Sequence, residues 1–182
     1  MKARLINEPQ LTMLVSTPAT LQGPDGPLTV LFGEADHSQR LQCMKLAAKS
    51  FRNPLSTEDY LEREEHLSQR PLTQNGGLRY WCLYIDKDPA QILATCKTIQ
   101  RDIFVRDAGG SCQQQCYCIA SVITDPQFRR YGLASLLLMR LAGWMDGRGN
   151  AFASMLYTSI GDVSINSKCM KLLILFILLT QL

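Results

Sequence analysis

The sequence has few of the features that identify the common ligand-binding classes. It contains no run of Lys or Arg, and its formal net charge is only +3 over 182 residues. A nucleic-acid partner is therefore not expected. Neither G-x-x-x-x-G-K-[ST] nor a G-x-G-x-x-G after a strand is present. These absences disfavour P-loop and dinucleotide-binding proteins.

Long apolar runs and an export signal are also missing. The longest apolar stretch, Leu172 to Leu179, is shorter than the roughly 20 residues that span a bilayer. The N-terminal segment is interrupted by Glu8, Pro9 and Pro18, which makes it a poor signal peptide. The seven cysteines are odd in number and scattered, unlike a disulfide framework. We expect no membrane span, a reducing compartment and a cytoplasmic location.

The composition predicts one globular domain. Hydrophobic residues make up 46% of the chain and charged residues 19%, and a chain of this length can bury a core. Glycine and proline at 23–27 are typical of a loop. We therefore expect a flexible N-terminal segment at 1–27, a folded domain at 28–162 and a divergent hydrophobic tail at 163–182.

The apolar spacing predicts alternating groups of strands and helices. The expected order is strand, two helices, three strands, helix, strand. A first strand begins at Leu28, with Asp36 or Ser38 capping the first helix and Ser56 or Thr57 capping the second. Helices are predicted at 37–51, 56–67 and 131–146, and further strands at 78–86, 90–105, 116–124 and 151–158. The helix at 131–146 is apolar nearly all round, so it is expected to be buried against a sheet.

One segment carries a specific chemical indication. A buried strand ending at Thr124 is followed by a proline turn, Arg129, Arg130, Gly132 and then the apolar helix. Helix N-termini leave backbone N–H groups unpaired and attract anions. The pattern indicates a site for a diphosphate or another anion at residues 129–135. The alternative is a plain strand-to-helix turn with solvated arginines.

The same residues resemble a known motif. R-R-Y-G-L-A at 129–134 is similar to the Q/R-x-x-G-x-G/A pyrophosphate motif of the GNAT acetyltransferases, and the element order is similar too. Within that superfamily, the stretches 60–85, 92–105 and 153–161 resemble the fungal lysine N-acetyltransferases. The resemblance implies an α+β GNAT fold with a mixed, mostly antiparallel sheet flanked by helices.

The resemblance also implies a function and a set of site residues. Acetyl-CoA would donate an acetyl group to a primary amine, with the side-chain amine of free lysine as acceptor and lysine degradation as the context. The pantetheine arm would pair with a strand edge where the strands at 116–124 and 151–158 splay apart, and Tyr157 is the candidate catalytic residue near the thiol. The implied cofactor contacts are Ser121, Val122, Ile123, Arg129, Arg130, Tyr131, Gly132, Leu133, Ala134 and Ser135.

The sequence departs from the family pattern at two places. Arg130 stands where the family usually has a loop glycine. The resemblance ends near Gly161 and Asp162, so we expect a C-terminally truncated domain that is incomplete after the fifth core strand, and Val163-Ser164 is what an unspliced intron donor would encode. The alternative function is a non-catalytic acyl-CoA-binding remnant or an unstable fragment.

For two further groups of residues, the sequence allows either a role in a site or a structural role. Glu62, Glu64 and Glu65 could contact the ammonium groups of a lysine substrate, or they could form a solvated acidic face. Cys112, Cys116 and Cys118 lack the pairing and fourth ligand that a zinc site needs, and core thiols are expected instead. No metal is therefore expected.

Overall fold

The computed structural model describes residues 17–24 and 26–156. Within these ranges, strands and helices alternate in the order expected, with one additional strand at the start and one 3-10 turn before the last helix. The elements are β1 (Ala19–Gly23), β2 (Gly26–Glu34), α1 (His37–Phe51), α2 (Thr57–Ser68), β3 (Leu78–Ile85), β4 (Asp88–Asp107), β5 (Gly110–Thr124), the 3-10 helix (Pro126–Phe128), α3 (Leu133–Asp146) and β6 (Ala153–Leu156).

The strands form one mixed sheet whose spatial order follows the sequence from β1 to β6. The first four pairings are antiparallel and join each strand to the next. The last pairing, between β5 and β6, is parallel. A parallel pair needs a crossover connection, and α3 supplies it. The start of α3 is joined to the end of β5 by the 3-10 helix and a short loop.

The two faces of the sheet are covered by different helices. Asp36 begins α1 with a capping box that includes Gln39, and Ser56 caps α2 by accepting from the Asp59 amide. These two helices pack over one face, where Tyr60 and Tyr80 are buried. α3 packs over the other face, where Trp81 is fully buried and stacks on Phe32 with ring centroids 5.5 Å apart.

The N-terminal part of the fold differs from the prediction. Residues 19–23 form β1, and β2 begins at Gly26, within the segment expected to be a loop. The reason is tertiary. Leu21 and Leu28 pack against the core beneath α3, and residues 23 and 26 pair in an antiparallel hairpin. The glycine and proline content there marks the turn between the strands, while the strands on either side depend on this packing.

The later elements also differ at their ends. β5 begins six residues earlier than predicted, because Gly110–Gln115 pairs with β4 although its sequence has no apolar alternation. α3 begins at Leu133 instead of residue 131, and only one of its faces is buried, since Met139 is 50% exposed. Of the thiols expected in the core, Cys112 is exposed and Cys116 is buried.

The described part of β6 is Ala153–Leu156, so the predicted end of that strand lies outside the described residues. The tail at 163–182 and the first sixteen residues lie outside them as well. In the part of the chain that the structure describes, no helix has the length and apolarity needed to cross a bilayer.

Candidate functional site

The loop between β5 and α3 has an unusual backbone. Asp125 starts it by accepting a hydrogen bond from the Gln127 amide, which forms the 3-10 turn. Arg129 is extended, and the chain then takes positive φ angles of 70° at Arg130 and 77° at Gly132. These left-handed residues reverse the chain, so that α3 starts at the end of the β5 strand.

The amide groups at the start of α3 have no acceptor among residues 17–24 and 26–156. Gly132 is the N-cap residue, and it has no side chain to accept a hydrogen bond. Its carbonyl accepts from the Leu136 amide at 3.0 Å. No acceptor among the described residues reaches the amides of residues 133–135. Unpaired amides and the helix dipole together favour an anion at this end of α3.

The space in front of these amides is open. A Cβ atom placed on Gly132 would meet no other atom within 4 Å. A cleft of about 580 Å³ lies here. Because the loop leaves this volume free and points amides and two arginines at it, the residues fit a diphosphate group. The predicted site residues that line the cleft are Val122, Ile123, Arg129, Arg130, Gly132, Leu133, Ala134 and Ser135.

The charges at the cleft are arranged for an anion. Arg129 and Arg130 are exposed and make no ion pair with any described residue. Asp125, the carboxylate at the start of the loop, is paired with Lys49, whose Nζ lies 2.8 Å from the Asp125 Oδ2. The pair is partly exposed and so contributes little to stability. Because this pair is neutral overall, the net positive charge at the cleft comes from the two arginines.

The end of β5 has an irregular edge beside this loop. Thr95 pairs with Ile123 and Lys97 pairs with Ala120, so Ser121 and Val122 together lie opposite Cys96. Ser121 has a φ of 52°. This is a β-bulge, a feature that bends a strand and is common next to active sites. The pairing of β5 with β6 is described up to Ile119 and Leu156, and Ile119 lies two residues before Ser121 in the bulge.

Most of the predicted site residues lie together at the cleft. Of the other three, two do not line it and one lies outside the described residues. Ser121 lies in the bulge, and it does not line the cleft. Tyr131 is 36% exposed and also lies off the cleft lining, so its ring does not crowd the loop. Tyr157 and the predicted splay between the two strands lie outside the described residues.

Sequence reasoning missed the contribution of α1. Ser50 and Phe51, at the end of that helix, line the cleft opposite the loop. Lys49 in the same turn holds Asp125. No local signal could have found them, because these residues are about 75 positions from the loop and meet it only through packing across the sheet.

The acidic residues of α2 serve the fold. Glu64 is buried, with a side chain 4% exposed, and its carboxylate accepts hydrogen bonds from Lys97 at 2.7 Å and from Tyr80 at 3.1 Å. Burial by itself raises the pKa of Glu64. The hydrogen bond and charge of Lys97, together with hydrogen bonds from Arg63 and Tyr80, outweigh it, so the pKa lies below its ordinary value. Glu65 pairs with Arg40 on the surface.

Comparison with known proteins identifies the class. The model of the acetyltransferase (GNAT) family matches residues 41–164, which include the loop, the bulge and α3. The chain belongs to this family and is an acetyltransferase. GNAT acetyltransferases use acetyl-CoA, and the cleft at the start of α3 lies within the matched region. No curated protein matches the chain significantly in sequence.

Solved structures agree on the fold at low sequence identity. A predicted acetyltransferase with acetyl-CoA from Clostridium acetobutylicum has a TM-score of 0.53 at 18% identity, covering 72% of this chain and 82% of that one. Glucosamine-6-phosphate N-acetyltransferase from Arabidopsis thaliana has a TM-score of 0.52 at 16% identity, with coverages of 76% and 95%. An acetyltransferase from Trypanosoma brucei has 0.51 at 18%, with coverages of 72% and 84%.

Proposed function

We propose that this acetyltransferase binds acetyl-CoA in the cleft at the start of α3 and transfers the acetyl group to a primary amine. The single observation that carries the proposal is the set of amides at residues 133–135, which have no acceptor in the described part of the chain. They lie next to Gly132 and to two arginines that form no ion pair within that part. Arg129 and Arg130 supply the full charges and the helix start supplies the directed donors. Together they match the doubly charged diphosphate of coenzyme A.

The bulge in β5 is the proposed contact for the pantetheine arm. Ser121, Val122 and Ile123 are the residues concerned, and the irregular pairing at Cys96 turns this part of the strand out of the regular ladder. An extended, amide-containing chain can add to such an edge by main-chain hydrogen bonding. Backbone N–H groups there would polarise the thioester carbonyl. Tyr157, which follows β6, remains the proposed acid for the leaving thiolate.

The proposed acceptor is the side-chain amine of free lysine. The proposal is supported by the similarity of residues 60–85, 92–105 and 153–161 to lysine N-acetyltransferases. Since a lysine ammonium has a pKa of about 10.4, a base or a water relay must remove its proton before the amine attacks the thioester. Glu64 is not offered as this base, because its carboxylate is held by Lys97 and Tyr80.

The test is an acetyl-transfer assay on the full chain with acetyl-CoA and free lysine. The expected result is lysine-dependent release of the coenzyme A thiol, together with N-acetyllysine identified by mass spectrometry. Glucosamine-6-phosphate, the substrate named for the Arabidopsis neighbour, serves as a comparison amine. Activity on another primary amine alone would overturn the lysine assignment and keep the reaction class.

Binding without turnover is the outcome that separates the enzyme from the alternative function. If acetyl-CoA raises the thermal midpoint and no amine yields product, the chain is an acyl-CoA-binding remnant. Family membership does not favour that alternative. If acetyl-CoA does not bind at all, the proposal for the cleft is wrong.

A further inference from the structure

Strands β4 and β5 extend beyond the rest of the sheet. The last pair between β3 and β4 is Leu78 with Ile99, whereas β4 and β5 remain paired as far as Asp107 and Gly110. The part beyond the sheet, residues 101–115, is termed the β4–β5 arm. Two-stranded ribbons of this kind are at best marginally stable alone in water. The arm thus has the geometry of an element that is completed by another strand.

One edge of the arm has main-chain groups directed outward. The Gln100 amide donates to the Gly77 carbonyl at 2.8 Å, so this residue faces the β3 side. Because successive residues in a strand alternate between the two edges, the main-chain groups of Asp102, Phe104 and Arg106 face the same side. Among residues 17–24 and 26–156, no strand pairs with β4 there. An edge with neither proline nor lysine is open to strand addition.

The side chains at this edge are arranged for a specific partner. Phe104 is 80% exposed, more than any other large apolar residue described. Asp102 and Arg106 are exposed on either side of it, two positions before and two after. This run of acidic, aromatic and basic side chains is complementary to itself when it is reversed. Antiparallel pairing centred on Phe104 places Asp102 opposite Arg106 in both directions.

We propose that a second copy of this chain docks on the β4 edge of the arm, antiparallel and centred on Phe104. The two rings then lie across from each other, flanked by two Asp102–Arg106 pairs of opposite charge, which is a favourable cross-strand arrangement. The outward main-chain groups of Asp102, Phe104 and Arg106 meet those of Arg106, Phe104 and Asp102 of the second copy. A shift of two residues along the strand would remove this charge match, so the register is set by the side chains.

The other edge of the arm, on β5, can be compared with the β4 edge. The Gln115 carbonyl accepts from the Phe152 amide at 2.8 Å, so Gln113 and Ser111 face the outer edge of β5 by the same alternation. These side chains are neutral and carry no complementary charge. The β5 edge is therefore not the proposed interface. The interface formed by one edge is small, and the association it supports is weak and concentration-dependent.

The first experiment is a charge exchange followed by sedimentation equilibrium of the full chain over a range of concentrations. The unchanged chain is expected to form dimers reversibly. D102R and R106D each place like charges opposite one another twice and should weaken the association by about tenfold or more. The double variant D102R/R106D restores opposite charges and should return the dissociation constant to within about threefold of the original value.

The second experiment uses proline at one cross-strand pair. F104P removes an outward N–H from the β4 edge and Q113P removes one from the β5 edge, and edge positions of this kind tolerate proline. F104P should abolish dimerisation, whereas Q113P should leave it unchanged. Circular dichroism and the thermal midpoint confirm that each variant is folded. A chain that stays monomeric, or a dimer unaffected by F104P and the charge exchange, overturns the proposal, and so does a dimer lost only with Q113P.

Discussion

At the scale of single residues, Arg130 is a non-glycine residue in a backbone conformation that favours glycine. Its φ of 70° lies in the left-handed region, which costs a non-glycine residue about 1–2 kcal/mol. The family usually has glycine at this position, and the structure shows why: the backbone conformation is one that glycine adopts without strain. Arginine retains the conformation because the loop around it is held by Gly132 and by the start of α3.

Arg130→Gly is expected to raise the free energy of unfolding by up to about 1.5 kcal/mol. Relief of the left-handed strain stabilises the folded chain by about 1–2 kcal/mol. The extra conformational freedom of glycine in the unfolded chain lowers this gain by about 0.5–1 kcal/mol. Urea denaturation of the two proteins measures the difference. Arg130→Ala is the control, because it removes the same charge and keeps the strain. If both variants change stability equally, strain at this position is not the cause.

Arg129 tests the anion site without this complication, since its φ of −69° is unstrained. Arg129→Ala should weaken acetyl-CoA binding by about 10- to 150-fold, the range expected when one charged hydrogen bond is lost. Arg148, an exposed arginine in the loop after α3, is the matched control. Arg148→Ala should leave the dissociation constant unchanged in isothermal titration calorimetry. Equal effects of the two variants would point to general charge attraction instead of a contact.

At the scale of elements, α3 combines two functions in one helix. Its buried residues, Leu133, Leu137, Leu141 and Met145, attach it to the sheet. Its first turn presents to the cleft amides that have no acceptor in the described part of the chain. The two functions meet at Gly132, where a positive φ of 77° favours glycine and where a Cβ atom would meet no other atom within 4 Å.

Two alanine substitutions in this element should act in opposite directions. Gly132→Ala strains the left-handed cap and projects a methyl group into the open space, so stability should fall by about 1–2 kcal/mol and acetyl-CoA should bind more weakly. Gly143→Ala lies within the same helix, also with no atom within 4 Å of the new Cβ. It should raise stability by about 0.5–1 kcal/mol and leave binding unchanged.

Thermal denaturation and calorimetric titration of both glycine variants measure these changes. Because both substitutions add the same methyl group, a difference in acetyl-CoA affinity between the two variants is caused by the position of that group in α3. Unchanged affinity in Gly132→Ala would show that the amides at the start of α3 do not hold the coenzyme.

At the scale of the whole molecule, Glu64 and Lys97 join α2 to the sheet. Their side chains are 4% and 14% exposed, and Tyr80 of β3 donates to the same carboxylate. A buried pair of this kind adds little beyond what apolar residues would supply, but loss of one partner is costly. The helix layer opposite α3 is thus tied to the sheet by an ionic contact as well as by its apolar core.

Glu64→Gln should destabilise the protein by about 3 kcal/mol at neutral pH, because Lys97 loses its counter-charge while mostly buried. Glu65→Gln is the control, since its pair with Arg40 is exposed and worth less than about 1 kcal/mol. Urea denaturation at pH 7 gives both values. Equal small effects would mean that the buried pair does not constrain the fold.

The same pair predicts an acid-dependent loss of stability. The pKa of Glu64 is lower in the folded chain than in the unfolded chain. Its contribution is therefore fully present above the unfolded value of about 4.3 and is lost as the pH falls through the folded pKa. The free energy of unfolding, measured from pH 7 down to pH 3, should fall less steeply in Glu64→Gln than in the unchanged chain. An identical slope would contradict the assignment.

Particular residues show how far sequence reasoning reached. The first helix was predicted at 37–51, and α1 has those bounds, with Asp36 as its cap. Capping and apolar spacing are local properties, so the sequence carries them directly. β1 and the start of β5 were missed, because their stability comes from neighbouring strands and from packing beneath α3.

The sequence by itself determined the helices, the central strands, the position of the loop before α3 and the family resemblance, since each depends on residues close together in the chain. The tertiary structure decided that α1 contributes Ser50 and Phe51 to the cleft and that Glu64 pairs with Lys97. It also decided that no strand among residues 17–24 and 26–156 pairs with the β4 edge of the arm. Each of these depends on which side chains distant elements bring into contact, and long-range packing leaves no mark in a local pattern.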